Sequence, residues 1–302
     1  MTAGPILVAG RSGQLARSLV ESAAQRETRL IAFGRPEFDI EDASVVEHTV
    51  RTVEPSAIVN SAAYSAVDRA ERELDRAFAV NCYGAERLAI EAQRLGIPFI
   101  HISTDYVFDG RKSGPYTEND ATVPVNVYGC SKLKGEQAVR DACPSAFVLR
   151  TSWLYSPYEH NFVTTMLRLA EKREDVRVVD DQWGSPTFAS DLANAILDIL
   201  TQLGRQDFRS RAGVYHLTAQ GETTWYGFAS TIFASWAARG LPVTRLIPIS
   251  STQHISAANR PANSRLDCGK IERQFGIRLP HWMQSLDICL ERLLARSEVR
   301  RC

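Results

Sequence analysis

The chain has 302 residues, 44% of them hydrophobic and 23% charged, and its 35 basic side chains are balanced by 35 acidic ones. This is the composition of a folded globular protein, long enough for one large domain or two smaller ones. It lacks the basic excess of a nucleic-acid or anionic-membrane binder, and no apolar run approaches the ~20 residues that span a bilayer. Six cysteines (Cys82, Cys130, Cys143, Cys268, Cys289 and Cys302) are scattered without metal-ligand spacing and read as thiols of a reducing compartment. No basic stretch followed by an apolar one opens the chain, so the cytoplasm is the expected location.

Pro5-Ile6-Leu7-Val8-Ala9 is a short continuous apolar run and predicts a strand buried on both faces. It enters Gly10-Arg11-Ser12-Gly13-Gln14-Leu15-Ala16, after which Leu15, Leu19, Val20 and Ala23 recur on one helical face. Strand, glycine turn and helix form the setting in which a glycine motif binds a dinucleotide. Gly10 permits the tight turn and Gly13 lets the backbone approach a pyrophosphate. Ser12, Gln14 and Leu15 lie where helix N-terminal amides meet its charge. Ala16 replaces the third glycine, where close helix–strand packing needs only a small residue.

Leu30–Phe33 predicts the second strand. Where an NAD-binding unit often carries an acidic residue for the ribose 2′-hydroxyl, this chain reads Gly34-Arg35. A guanidinium suits a 2′-phosphate, which favours NADPH with NADH still possible; Arg35 also reads as a solvated loop charge. Asp39-Ile40 borders the adenine or simply begins the next element, a helix over 43–53. Ile58-Val59 is a third strand ending in Asn60-Ser61-Ala62-Ala63-Tyr64-Ser65, whose small residues leave room for a ligand in the crevice. A long helix follows with Ala85, Leu88, Ala89, Ala92 and Leu95 at core spacing and Asn81 inside it; a buried Asn there must find partners.

Pro98–Ile102 predicts the fourth strand, running into Ser103-Thr104-Asp105-Tyr106-Val107-Phe108. Hydroxyls and a carboxylate at the C-terminal end of a parallel strand lie where open sheets bind ligands, and Thr104 is placed to donate to a substrate carbonyl. After a polar loop comes Tyr128-Gly129-Cys130-Ser131-Lys132. Tyrosine and lysine four apart lie one helical turn from each other. A lysine ammonium beside a phenol favours the phenolate and lowers its pKa, so the pair can pass a proton to a carbonyl oxygen while hydride moves at the carbon. Alone, the same spacing also describes a solvated tyrosine beside a surface lysine.

In this order the pieces resemble the extended, nucleotide-sugar-modifying branch of the short-chain dehydrogenase/reductase superfamily. More closely, the chain is similar to dTDP-4-dehydrorhamnose reductases through Ser103–Gly110, Asn126–Gly129, Lys132–Glu136, Arg150–Tyr155, Asn161-Phe162, Asp181–Thr187 and Arg260–Leu266. The similarity runs from Pro5 to about Leu294. It implies NADPH-dependent reduction of the 4-keto group of dTDP-4-dehydro-β-L-rhamnose, with Thr104, Tyr128 and Lys132 as catalytic triad. Lys132 would also hold the nicotinamide ribose. Asp105, Tyr106, Trp153, Asn161 and Arg260 join Thr104 and Tyr128 in the expected substrate site. Trp153 offers a flat wall for a deoxysugar and Arg260 a partner for the diphosphate.

Phe147–Arg150 predicts the fifth strand, 163–169 and 191–203 predict helices, and Val176–Val179 a further strand. Val214–Leu217 is expected to return to the main sheet. The last helix places Met283, Leu286, Leu290, Leu293 and Leu294 on one face. The expected class is α/β: a Rossmann-type doubly wound parallel sheet over 1–154 and about 182–218, with a smaller mixed α/β substrate-binding domain over about 155–181 and 219–302. Some relatives are described as magnesium-bridged dimers held by glutamates; here Ser18 and Ser190 occupy the corresponding regions and only Glu291 remains, so no metal is expected, and the chain reads as a monomer or homodimer. Two other readings share the same residues. One is a 4-reductase or epimerase for another nucleotide-deoxysugar. The other is a non-enzymatic subunit resembling the regulatory subunit of methionine adenosyltransferase.

Overall fold

The apolar runs become the strands of one sheet. In the computed structural model, which describes residues 4–171, 175–204 and 208–299, the strands are β1 (Ile6–Ala9), β2 (Leu30–Phe33), β3 (Ala57–Asn60), β4 (Phe99–Thr104), β5 (Phe147–Thr151) and β6 (Gly213–His216). They lie in the order β2-β1-β3-β4-β5-β6, and every neighbouring pair is parallel. Parallel pairing requires crossovers, and helices supply them on both faces. The helices are α1 (Gln14–Gln25), α2 (Ala43–Val53), α3 (Ala85–Leu95), α4 (Val127–Ala142) and α5 (Ala189–Leu203). Leu15 and Leu19 of α1 and Leu192, Ile196 and Ile199 of α5 fill one face. Val46 and Val50 of α2, Leu88 and Ala92 of α3 and Val139 of α4 fill the other. This is the doubly wound α/β arrangement that the continuous apolar strands imply. The expected return of the chain to the main sheet at 214–217 is met by β6, paired with β5.

The chain leaves β1 for β2 on one side and crosses back to β3 on the other. At that switch point the loops diverge and open a crevice at the strands' carboxyl ends. A third apolar cluster, with Tyr155, Phe188, Phe228, Trp282 and Leu286, gathers beside the sheet. It draws on helices Phe162–Glu171, Trp225–Ala237 and Trp282–Val299. Short strand pairs frame it: Leu154–Tyr155 beside Thr187–Phe188, and Val176–Val179 beside Leu246–Ile249.

Three residues expected in helical cores are exposed instead: Val20, Leu95 and Met283. Val20 sits about 100° past Leu19 and falls off the buried stripe; Leu95 and Met283 lie in terminal turns, beyond the packed length of their helices. Asn81 lies in a π-helical segment, Ala79–Gly84, that leads into α3. Its side chain is fully used, accepting from Tyr64 N (2.8 Å) and donating to Tyr64 O (3.0 Å) and Ser131 Oγ (2.9 Å). It thereby ties the loop after β3 to α4.

Glu136 of α4 and Arg150 of β5 form a buried pair, with side-chain exposures of 3% and 5%. Two parallel hydrogen bonds of 2.9 and 2.7 Å join them, and Ser103 donates to the same carboxylate. Removing one member leaves a buried charge without compensation. Glu136→Gln and Arg150→Met are therefore each expected to cost about 3–5 kcal/mol in urea unfolding, and the double variant less than their sum.

Candidate active site

A cleft of about 840 Å³ opens at the switch point. Every residue assigned to a dinucleotide from the sequence lines it: Gly10, Ser12, Gly13, Gln14, Leu15, Arg35, Asp39, Ile40, Ala62, Ala63, Tyr64, Tyr128 and Lys132. Gly10 has φ +109°, and a Cβ there would sit 2.8 Å from Ser61 Oγ, so the turn at the end of β1 accepts no side chain. Helix α1 begins without a side-chain cap and without an acidic residue in its first turn, which leaves its first amides able to meet an anion. The residues present thus fit a dinucleotide diphosphate.

Arg35 sits at the cleft but is already paired. It binds Asp39 through two hydrogen bonds (3.0 and 3.2 Å) and also contacts Glu41. Arg11 pairs with Glu37 at 3.1 Å. Tyr64 donates its hydroxyl to Glu73 at 2.8 Å.

The helix that carries Tyr128 and Lys132 is positioned by close backbone contact. Asn126 caps α4, accepting from Gly129 N at 2.8 Å. A Cβ on Gly129 would lie 2.2 Å from Tyr106 O, so glycine alone lets α4 press against the end of β4. That contact brings the Tyr128 ring edge-on to Tyr106, with centroids 5.6 Å apart. Tyr106, Tyr128 and Lys132 line the cleft wall. Thr104 and Asp105 are buried and are absent from that lining. Thr104 Oγ1 donates to Asp105 Oδ1 (3.0 Å) and accepts from Tyr106 N (3.2 Å). The expected donation from Thr104 to a substrate carbonyl therefore competes with Asp105 for a single proton. Burial lifts the Asp105 carboxyl to about 6, against the opposing pull of the Ser264 and Thr104 hydroxyls.

The groups that shift the tyrosine do not include the lysine. Burial pushes the Tyr128 phenol up to about 12; the Asp105 charge adds to this, while the Thr104 hydroxyl works against it. Lys132 Nζ donates instead to Ile102 O at 2.6 Å and lies 3.4 Å from His101 Nε2. Burial itself draws Lys132 down to about 8. In this state the phenol keeps its proton firmly, as a proton donor at neutral pH must.

Trp153 holds a left-handed backbone (φ +48°), uncommon for a bulky residue. Its indole stacks on Trp225 with centroids 3.5 Å apart and planes within 10°, and a Cβ on Gly184 would lie 2.4 Å from it. Trp225 also lines the cleft and was not foreseen; the sequence signal was an aromatic residue at a helix start, which core packing equally explains. Asn161 lines the cleft, yet its amide is spent on its own loop, donating to Ser156 O (2.8 Å) and Tyr158 O (3.0 Å) and accepting from Thr164 N (3.2 Å). Arg260 is not among the lining residues; its guanidinium pairs with Asp68 at 2.6 Å. Among the described residues no three His, Cys, Asp or Glu side chains converge as a metal site, and Glu291 faces Arg239 at 3.9 Å.

The family model described as the RmlD substrate binding domain matches residues 4–295. The chain is 45% identical over 280 residues to a dTDP-4-dehydrorhamnose reductase of Sinorhizobium fredii, covering 93% of this chain and 94% of that one. It is 39% identical over 301 residues to the dTDP-4-dehydrorhamnose reductase of Escherichia coli K12, covering 97% and 99%. The crystal structure of dTDP-4-dehydrorhamnose reductase from Bacillus anthracis in complex with NADP superposes with a TM-score of 0.89 at 34% identity, over 96% of this chain and 100% of that one.

The indole stack gives a direct check on the cleft wall. Gly184→Ala should displace Trp153 and abolish the near-ultraviolet circular dichroism of the coupled indoles. Trp225→Leu should abolish the same signal without adding a clash, and both variants should retain the far-ultraviolet spectrum.

Proposed function

Because the chain belongs to the dTDP-4-dehydrorhamnose reductase family, we propose that it reduces the 4-keto group of dTDP-4-dehydro-β-L-rhamnose to give dTDP-β-L-rhamnose, using NADPH and tolerating NADH. The observation that carries this reading is the meeting of Tyr128 and Lys132 with the glycine turn in one cleft. When bound, the cofactor supplies hydride to the ketone carbon.

The chain's own residues bind, orient and protonate. The Gly10–Leu15 turn takes the diphosphate, Asp39 and Ile40 border the adenine, and Ala62, Ala63 and Tyr64 complete the wall. Arg35 meets the 2′-phosphate by exchanging Asp39 and Glu41 for it. Tyr128 gives its phenolic proton to the ketone oxygen as negative charge develops there. Lys132 holds the nicotinamide ribose and, as an ammonium, stabilises the phenolate that remains. Thr104 and Asp105 support the oxygen from beneath, and Tyr106 and Trp153 wall the sugar. Asn161 shapes the loop at the cleft edge. Arg260, released from Asp68, pairs with the substrate diphosphate.

We read residues 1–154 and about 182–218 as the nucleotide domain and about 155–181 and 219–302 as the substrate domain. The proposed setting is the cytoplasm, as monomer or homodimer. Free thiols at Cys82, Cys130, Cys143, Cys268 and Cys289 support a reducing compartment. Among the described residues no helix is long and apolar enough to cross a membrane.

Tyr128→Phe keeps the ring and removes the proton. With dTDP-4-dehydrorhamnose and NADPH its turnover should fall by ~10²–10⁴ at unchanged fold and cofactor affinity; near-normal turnover would remove Tyr128 as proton donor. Arg35→Ala should raise the KM for NADPH about tenfold while leaving that for NADH nearly unchanged, the loss of one charge-assisted contact. Equal effects on both cofactors would remove Arg35 from the 2′-phosphate site.

A further inference from the structure

His101 is fully buried in the middle of β4, and the proposed chemistry makes no use of it. It links Asn60, at the end of β3, to Lys132. The Ala62 N–H lies 3.1 Å from one side-chain atom of Asn60. A backbone N–H can only donate, so that atom is Oδ1. The Asn60 amide nitrogen therefore faces His101 Nδ1, 3.1 Å away, and donates to it. A neutral imidazole that accepts at Nδ1 carries its proton on Nε2. Burial keeps the ring neutral, and the Lys132 charge acts in the same direction. The Nε2–H thus points at Lys132 Nζ, 3.4 Å away.

An ammonium has three donors and no acceptor, so it opposes a second donor, whereas an amine accepts from it. Of the other groups near Lys132, the Glu136 charge works the other way and favours the ammonium, but burial outweighs it. Glu136, one turn further along α4, is engaged by Arg150 of β5 and by Ser103 of β4. Tyr128, one turn earlier, keeps its proton, and Asp105 accepts from Thr104. From the segment at 79–84, Asn81 is committed to Tyr64 and Ser131. Among the described residues the Ile102 carbonyl is the acceptor that remains.

We propose that the chain Ala62–Asn60–His101 fixes the Nε2–H tautomer of His101, and that this proton favours the amine form of Lys132 in the unliganded protein. His101 is then a positioning residue for the lysine, reached from the same loop that walls the cleft. The proposal rests on the reading of Lys132 as part of the reductase site. Its test does not use the reaction, so failure of either reading is separable from failure of the other.

The test is nuclear magnetic resonance of the full chain. With ¹⁵N-labelled histidine, the wild-type His101 ring should show a protonated Nε2 and an unprotonated Nδ1 across neutral pH. A protonated Nδ1 would overturn the proposal without any variant. With ¹³Cε-labelled lysine, assigned through Lys132→Met, the Lys132 titration midpoint should rise by about one pH unit in His101→Phe, because the opposing N–H is gone while burial persists. An unchanged or lower midpoint in folded His101→Phe would overturn it. Asn60→Asp supplies an acceptor in place of the donor and should move the His101 proton to Nδ1; retention of Nε2–H would remove Asn60 from the chain.

Discussion

A lysine side chain 98% removed from solvent is the constraint around which this site is built, Lys132 being 2% exposed. Burying an ammonium is costly unless acceptors or a counter-charge meet it. Here the nearby carboxylate, Glu136, is shared with Arg150, and one strand carbonyl takes the Nζ. The helix that carries the lysine is pressed against the end of β4 by the backbone contact at Gly129. The outcome is a lysine drawn down to about 8 beneath a phenol held at about 12. Neither group is in an ordinary protonation environment, and both open onto the cleft.

The same economy of charge recurs at the cleft's rim. Arg35 is paired with Asp39 and Glu41, Arg11 with Glu37, and Arg260 with Asp68. These three guanidinium groups are neutralised locally, whereas Arg76, which also lines the cleft, has no such carboxylate partner among the described residues. A phosphate ligand gains only the difference between its own contacts and the carboxylates it displaces. On the exposed pairs of Arg35 and Arg11 that exchange is inexpensive. On the proposed reading, in which Arg35 meets the 2′-phosphate, selectivity depends on how readily Asp39 and Glu41 yield.

Much of this was legible from residue order. Continuous apolar runs gave parallel strands, with β1, β3 and β5 buried throughout and β2 at the open edge, and the glycine turn, the small residues after β3 and the Tyr128–Lys132 spacing all fell on one cleft. What escaped was decided by contacts distant in sequence. Helical spacing placed Lys132 beside Tyr128 but could not show that the Ile102 carbonyl would take its proton donors. Nor could it show that Asn161 would spend its amide on its own loop, or that Arg260 would face Asp68 across 192 positions. Trp225 reads as a core aromatic until Trp153, in its left-handed conformation, is seen stacked on it. Asn60 and His101 carry no motif; their meaning lies in the direction of a backbone N–H.

The most direct measurement supplies dTDP-4-dehydrorhamnose together with NADPH carrying deuterium at both C4 positions of the nicotinamide, and follows the product by proton nuclear magnetic resonance. A reductase of this kind yields dTDP-rhamnose whose sugar H4 signal is missing, because the label has been delivered to C4. Unreacted substrate with protein shown to be folded, or a product whose H4 signal is intact, would contradict the account.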